Sequence, residues 1–167
     1  RLDDKRFDGI YDISERLGKP LYIHTGTSPN PYTRMEPPYV DPLYLEESIK
    51  KYPGAIFIMG HSGYDSFLVK LTYLDSCIEL AKKYENVYIE PGALGSRKAS
   101  EILPIYLKRM KEEGIIDRVI YGSDGPQFPG YTASHLNNMI DAMEEVGYTG
   151  LEMKAVLESN FERVFDL

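Results

Sequence analysis

Four short apolar runs, each ending on a polar residue and followed by a helical pattern, constrain this chain more than any other feature. The runs Leu21–Ile23, Ala55–Met59, Val87–Ile89 and Val119–Tyr121 end at His24, at Gly60-His61, at Glu90 and at Gly122-Ser123-Asp124. A continuous apolar run of this length suits a strand covered on both faces. Strands that alternate with helices build a parallel sheet with right-handed crossovers. The polar ends lie 37, 29 and 34 residues apart, room for one helix and its two loops each time. A complete eight-unit barrel takes about 250 residues. Four units in 167 residues therefore predict half of a (β/α)8 barrel, with parallel strands near 21–24, 55–59, 87–90 and 118–122, as a single domain over 1–167. The rival, a doubly wound open sheet, usually carries a Gly-rich phosphate loop, and neither GxGxxG nor GxxxxGK[ST] occurs.

The helical stretches carry their own punctuation. Residues 6–17 place Phe7, Ile10, Tyr11 and Leu17 on one helical face, and Gly18 and Pro20 stop the helix. Asp41 before Pro42 reads as an N-cap with proline at N1, opening a helix that breaks at Pro53-Gly54. Residues 65–84 are expected to be helical with Leu71, Leu74, Ile78 and Ala81 inward, and Cys77 falls on that face as a core residue. A helix from Ser100 to Glu113 tolerates Pro104 only in its first turn. The remainder, 132–167, reads as helix interrupted near Gly147 and Gly150.

Composition excludes some partners. Nineteen basic against 26 acidic residues leave a net charge of −7, and no cationic stripe offers itself to nucleic acid or an anionic membrane. No apolar run approaches the roughly 20 residues of a membrane span. One cysteine cannot form an internal disulfide, so a cytoplasmic protein is the expectation.

The residues able to carry chemistry sit where strands give way to loops, the edge at which parallel α/β folds bind ligands. A lone strand-end histidine is as readily a cap or core contact as a ligand. Two histidines and an aspartate at equivalent ends, His24, His61 and Asp124, are harder to dismiss as a set. Imidazole nitrogen and carboxylate oxygen suit a divalent ion, zinc first, which polarises a carbonyl and acidifies water, while a second histidine moves protons. Glu90 reads as a carboxylate supporting such a site or as a capping residue, with structure favoured. The long loop 25–40 has the length of a lid, and its Arg34 could clamp a substrate carboxylate. A serine hydrolase is the alternative, since Ser62, Asp124 and His135 occur in the right order and GHSG follows a strand. Position 64 is tyrosine, however, where G-x-S-x-G wants glycine. A non-catalytic half-barrel interaction unit is the other alternative.

The segments YIHTG (22–26), IMGHSG (58–63), YGSDGP (121–126) and NFERVF (160–165) are similar to the last four βα units of the amidohydrolase superfamily. The likeness covers essentially the whole chain and is nearest the "amidohydrolase 2" branch, which includes aminocarboxymuconate-semialdehyde decarboxylase and related aromatic-acid decarboxylases. By this resemblance the four units are strands five to eight of the barrel. His24 is then the metal-binding histidine of strand five and His61 the strand-six histidine facing substrate. Asp124 becomes the strand-eight aspartate contacting both metal and attacking water. The resemblance implies hydrolysis or decarboxylation of a small, carboxylated substrate with a divalent metal. The family's His-x-His pair has no counterpart among His24, His61 and His135. The chain alone is therefore expected to be inactive, to hold metal weakly, and to associate as a homodimer or with a missing half-barrel.

Overall fold

Three of the four apolar runs pair into one parallel sheet in sequential order. The computed structural model describes every residue except Pro31, in the 25–40 loop, and Arg97 and Lys98. Strands β1 (Leu21–His24), β2 (Phe57–Gly60) and β3 (Val87–Glu90) lie side by side. Their register aligns Ile23, Met59 and Ile89 in one row and His24, Gly60 and Glu90 in the next. Each strand therefore ends at the same level.

The fourth run departs from expectation. It makes one parallel bridge, Ile89 to Val119, instead of a ladder. Ile120 N donates to Ile89 O at 3.0 Å, but Tyr121 N turns away to Val156 O at 3.0 Å. The Asn160 amide takes the Val119 and Ile116 carbonyls at 2.7 and 2.9 Å. The C-terminal segment thus captures donors and acceptors that a longer strand would have offered to β3, a competition that apolar periodicity does not register.

The helices follow the local signals with informative differences. Helix α1 (Asp8–Leu17) stops at Gly18, whose φ of 61° only glycine adopts without strain. Of its apolar face only Tyr11 is buried, against Phe57 and Tyr52, while Phe7, Ile10 and Leu17 stay exposed together with Ile13. Beyond the loop that holds the one-turn helix α2 (Pro37–Val40), Asp41 caps the expected turn. Its carboxylate accepts from Leu43 N ahead of a 3-10 turn and α3 (Glu46–Lys51).

The helix expected over 65–84 is α4 (Leu74–Lys83) alone. Asp65 is the reason: its Oδ1 accepts from Thr27 Oγ1, Phe67 N and Leu68 N at 3.0, 3.0 and 2.9 Å, and its backbone pairs with Lys70. A short acidic side chain that bonds nearby backbone favours a turn over a helix. Helix α5 (Leu103–Glu112) begins three residues later than expected, with Pro104 in its first turn. The remainder is α6 (Tyr131–Glu145), α7 (Gly150–Lys154), a π-helical turn over Ala155–Ser159, and α8 (Asn160–Phe165). Gly147 marks the interruption with φ 74°. Gly150 instead lies inside α7, whose start is set by the Thr149–Glu152 capping box. Among the described residues no helix is long and apolar enough to cross a membrane.

The sheet is covered on both faces. Phe57, Met59, Val87, Ile89 and Val119 pack with Cys77, Ile78, Tyr106 and Leu107 from α4 and α5. On the opposite face Ile58, Tyr88 and Ile120 pack against Val164 and Phe165 of α8. Ile58 is thereby buried, where an open half-barrel would have left it facing solvent. On that face β1 is left uncovered: Tyr22 is 54 % exposed and His24 is exposed as well.

Asn160 holds this cover in place, because its buried amide is the tie between α8 and the fourth run. Asn160→Ala should lower stability by about 1–3 kcal/mol, the cost of leaving a buried carbonyl unpaired. Urea denaturation at constant m-value is the check, and a midpoint unchanged from the parent would show that α8 is held by packing alone.

Candidate active site at the strand ends

Side-chain alternation carries Tyr22 and His24 of β1, Gly60 of β2 and Glu90 of β3 to the same sheet face. Tyr22 and Glu90, with Ile58, Ile120, Phe161 and the loop that carries Asp124, line an open pocket of about 490 Å³, and His24, Gly60 and His61 are not among its lining residues. His24 and His61 face one another with ring centroids 4.5 Å apart and planes tilted by 58°. His61 Nε2 lies 4.0 Å from Asp124 Oδ1, close enough to interact and too far for a hydrogen bond. The structure therefore brings His24, His61 and Asp124 into one cluster.

Two of the three stand on unusual backbone. His61, Ser62 and Gly63 have φ of 62°, 51° and 70° in succession, and Asp124 has φ 56°. A left-handed conformation costs a non-glycine residue on the order of 1–3 kcal/mol and persists where neighbours over-determine it. Around His61 they do. Thr25 Oγ1 donates to Gly60 O at 2.8 Å and accepts from Gly63 N at 3.0 Å. Ser62 Oγ donates to Glu90 O at 2.9 Å, and His61 N reaches Glu90 Oε2 at 3.3 Å. The result turns the His61 imidazole towards His24 and Asp124 directly after a buried strand.

Burial dominates the protonation of the cluster. It lowers His61 to about 4, with the neighbouring His24 adding to the effect and Asp124 opposing it. Burial also lowers His24, again against Asp124. Both imidazoles are neutral near pH 7, as ligands and proton acceptors must be. Burial raises the Glu90 carboxyl above the usual range, although Tyr22 Oη, His61 N and Gly92 N all donate to it.

The other candidates lie elsewhere. Arg34 is exposed, paired with Glu36 at 3.0 Å and stacked 4.5 Å from the Tyr39 ring, so the structure does not bring it to the pocket. The serine-hydrolase arrangement is not formed. Ser62 is fully buried with its hydroxyl on Glu90 O and Tyr106 Oη. The buried His135 instead has its Nε2 on Gly95 N and Gly92 O, and among the described residues its Nδ1 has no hydrogen-bond partner. Cys77 is fully buried, and burial pushes its thiol up.

Two pocket residues were undervalued in the sequence. Glu90 reads there as structural, yet it lines the pocket. Tyr22 drew no notice beyond its strand, although its place two residues before His24 puts both on one face.

The donor chemistry of His24 and Asp124 suits a divalent ion, but among the described residues no group of three His, Cys, Asp or Glu is placed to hold one. A zinc site normally takes three or four protein ligands. These residues therefore do not complete a metal site by themselves.

Known proteins share the fold. In sequence the chain is 27 % identical over 128 residues to the protein fluG of Emericella nidulans, a stretch that is 77 % of this chain and 14 % of that protein. In structure it is similar to an uncharacterized TIM-barrel protein from Bordetella bronchiseptica (TM-score 0.70, 18 % identity, 99 % of this chain and 52 % of that one). A probable 2-pyrone-4,6-dicarboxylic acid hydrolase from Acinetobacter baumannii, solved with citric acid bound, superimposes with TM-score 0.70 at 16 % identity over 100 % of this chain and 60 % of its own. The 5-carboxyvanillate decarboxylase of Sphingomonas paucimobilis gives TM-score 0.60 at 16 % identity, with shares of 99 % and 54 %. The chain thus spans about half the length of these solved structures and a smaller part of fluG. The fold is that of a TIM-barrel portion, and the amidohydrolase model Amidohydro_2 matches residues 1–167, so the chain belongs to the amidohydrolase 2 family.

Proposed function

We propose that this chain supplies strands five to eight, and one side of the active site, of a metal-dependent hydrolase or carboxy-lyase acting on a small carboxylated substrate. The observation that carries the reading is the convergence of His24, His61 and Asp124 at strand ends, with His61 and Asp124 both held in left-handed backbone. The names of the similar structures, a pyrone dicarboxylic acid hydrolase and a carboxyvanillate decarboxylase, support the substrate class.

In this reading His24 and Asp124 hold the ion, zinc first, together with ligands beyond those described. When bound, the ion would supply Lewis acidity. His61 is the proton-transferring group. It stays neutral because it is buried, and its Nε2 on the Asp124 side accepts a proton from the reacting oxygen. Once charged, the imidazolium is stabilised by the Asp124 carboxylate at 4.0 Å. Ile58, Ile120 and Phe161 keep the wall of the adjoining pocket apolar. The open edge of β1 and the exposed Phe7, Ile10, Ile13 and Leu17 support association, with the rest of a barrel or with a second copy.

In the complete enzyme, His61→Ala should cut turnover about 100- to 10,000-fold while leaving metal content nearly intact, whereas His24→Ala should lose both. Metal analysis beside kinetics on 2-pyrone-4,6-dicarboxylate and 5-carboxyvanillate tests this, and equal metal loss in both variants refutes the division of roles. Residues 1–167 alone are expected to turn over neither compound and to sediment as an associated species at micromolar concentration. An active, stable monomer contradicts that expectation.

Stability follows from the same histidines. Their folded values lie below the ordinary 6.5, so between those limits the unfolded chain binds protons that the folded one does not. The contribution is complete above pH 6.5 and declines as pH falls towards 4. With chelator present, the urea midpoint should drop from pH 7 to pH 5, and less so in His61→Ala. Parallel slopes would show that His61 titrates at its ordinary value.

A further inference from the structure

We propose that Glu90 is a positioning residue for His61, holding the left-handed His61-Ser62 turn at the level of the pocket. The inference rests on the reading of His61 as the proton-transferring group. Glu90 is 5 % exposed. Its Oε1 accepts from Gly92 N at 2.7 Å, and its Oε2 accepts from Tyr22 Oη at 2.7 Å and from His61 N at 3.3 Å. Its own carbonyl accepts from Ser62 Oγ at 2.9 Å. One residue at the end of β3 thus grips two consecutive residues of positive φ at the end of β2, by side chain at His61 and by backbone at Ser62.

Space around this carboxylate is made by glycines on adjacent strand ends. A Cβ at Gly122 would overlap Glu90 Oε1, one at Gly92 would come within 2.5 Å of His61 Nδ1, and one at Gly60 would run into the Tyr22 ring. Carboxylate, imidazole and phenol therefore occupy room that side chains on those three glycines would take. None of the hydrogen-bond donors to the carboxylate is cationic, so charge pairing does not explain it. Filling the volume does not explain it either, since an apolar side chain would do so without the cost of burying an acid. What the carboxylate uniquely offers is acceptance from three donors at once, two of them the backbone N–H groups of His61 and Gly92.

Replacement by glutamine keeps the volume and turns one acceptor into a donor, which cannot face both Gly92 N and the Tyr22–His61 pair. The experiment is Glu90→Gln in the protein as expressed from its own gene. Amide hydrogen exchange at His61 and Gly92 is read by NMR, beside steady-state kinetics on 2-pyrone-4,6-dicarboxylate and 5-carboxyvanillate. Exchange at both amides is expected to accelerate at least about tenfold while core amides such as Met59 and Ile89 hold their protection. Turnover is expected to fall about 10- to 100-fold with KM within about threefold, the pattern of a misplaced group and not of a lost binding contact. Should Glu90→Gln fail to fold, Gly122→Ala displaces the same carboxylate and is expected to give the same paired change. Unchanged exchange, or faster exchange with unchanged kcat, overturns the proposal. A parent protein that turns over neither compound sinks the functional reading instead, and the exchange result then decides by itself whether Glu90 holds the His61 turn.

Discussion

The parallel register across β1, β2 and β3 is the constraint on which the rest depends. It sets His24, Gly60 and Glu90 in one row, so three chain segments leave the sheet at a single level and their side chains meet. A slip of one residue in any strand would exchange its two faces. His24 would then turn into the helix-facing core, and Ile23 would replace it beside His61. Phe57, Met59, Val87 and Ile89 on one face and Ile58, Tyr88 and Ile120 on the other oppose such a slip, since each set has its own buried cover. The chemistry of the rim is therefore secured by apolar packing on both sides of the sheet, well below it.

Above that row the backbone is held in conformations it would not choose. His61, Ser62 and Asp124 all lie in the left-handed region, and around His61 strain is offset by hydrogen bonds to β3 and to Thr25. The arrangement turns a strand end sharply, so that the His61 side chain leaves the sheet and meets His24 and Asp124. The same crowding keeps His61 neutral, because burial outweighs the attraction of Asp124. Geometry and protonation thus have one cause. Glu90 sits beneath both, a buried acid whose partners are a phenol and two backbone amides.

Much of this was legible along the chain. Three of the four strands, the Gly18 stop, the Asp41 cap and the placing of two histidines and an aspartate at strand ends follow from periodicity and turn chemistry, which are local. The misreadings share a different cause. The 65–73 stretch has helical spacing, but Asp65 bonds back to Phe67, Leu68 and Thr27. The run 118–122 has strand composition, but Asn160 and Val156 take its hydrogen bonds. At Asp65 the local bonds to Phe67 and Leu68 are joined by Thr27, 38 residues away, and at the fourth run the partners Val156 and Asn160 lie 35 and 41 residues from Tyr121 and Val119, so apolar periodicity registers neither.

The functional residues divide along the same line. His24, His61 and Asp124 announce themselves because a polar residue directly after an apolar strand is costly without a purpose. Arg34 has the right chemistry and the wrong place, since Glu36 two residues on and the Tyr39 ring hold it at the surface. Ser62 and His135 have the right order for a hydrolase and different neighbours, because the turn at His61 buries the serine under Tyr106 and the Gly92–Gly95 turn claims the histidine. By itself the sequence determined the alternation of strands and helices and the identity of the residues at the strand ends, both set by short-range burial periodicity. Only the tertiary structure decided which of those residues meet, that Tyr22 and Glu90 stand among them, and that the fourth run leaves the sheet, because contacts between distant segments depend on register and competing partners rather than on local pattern.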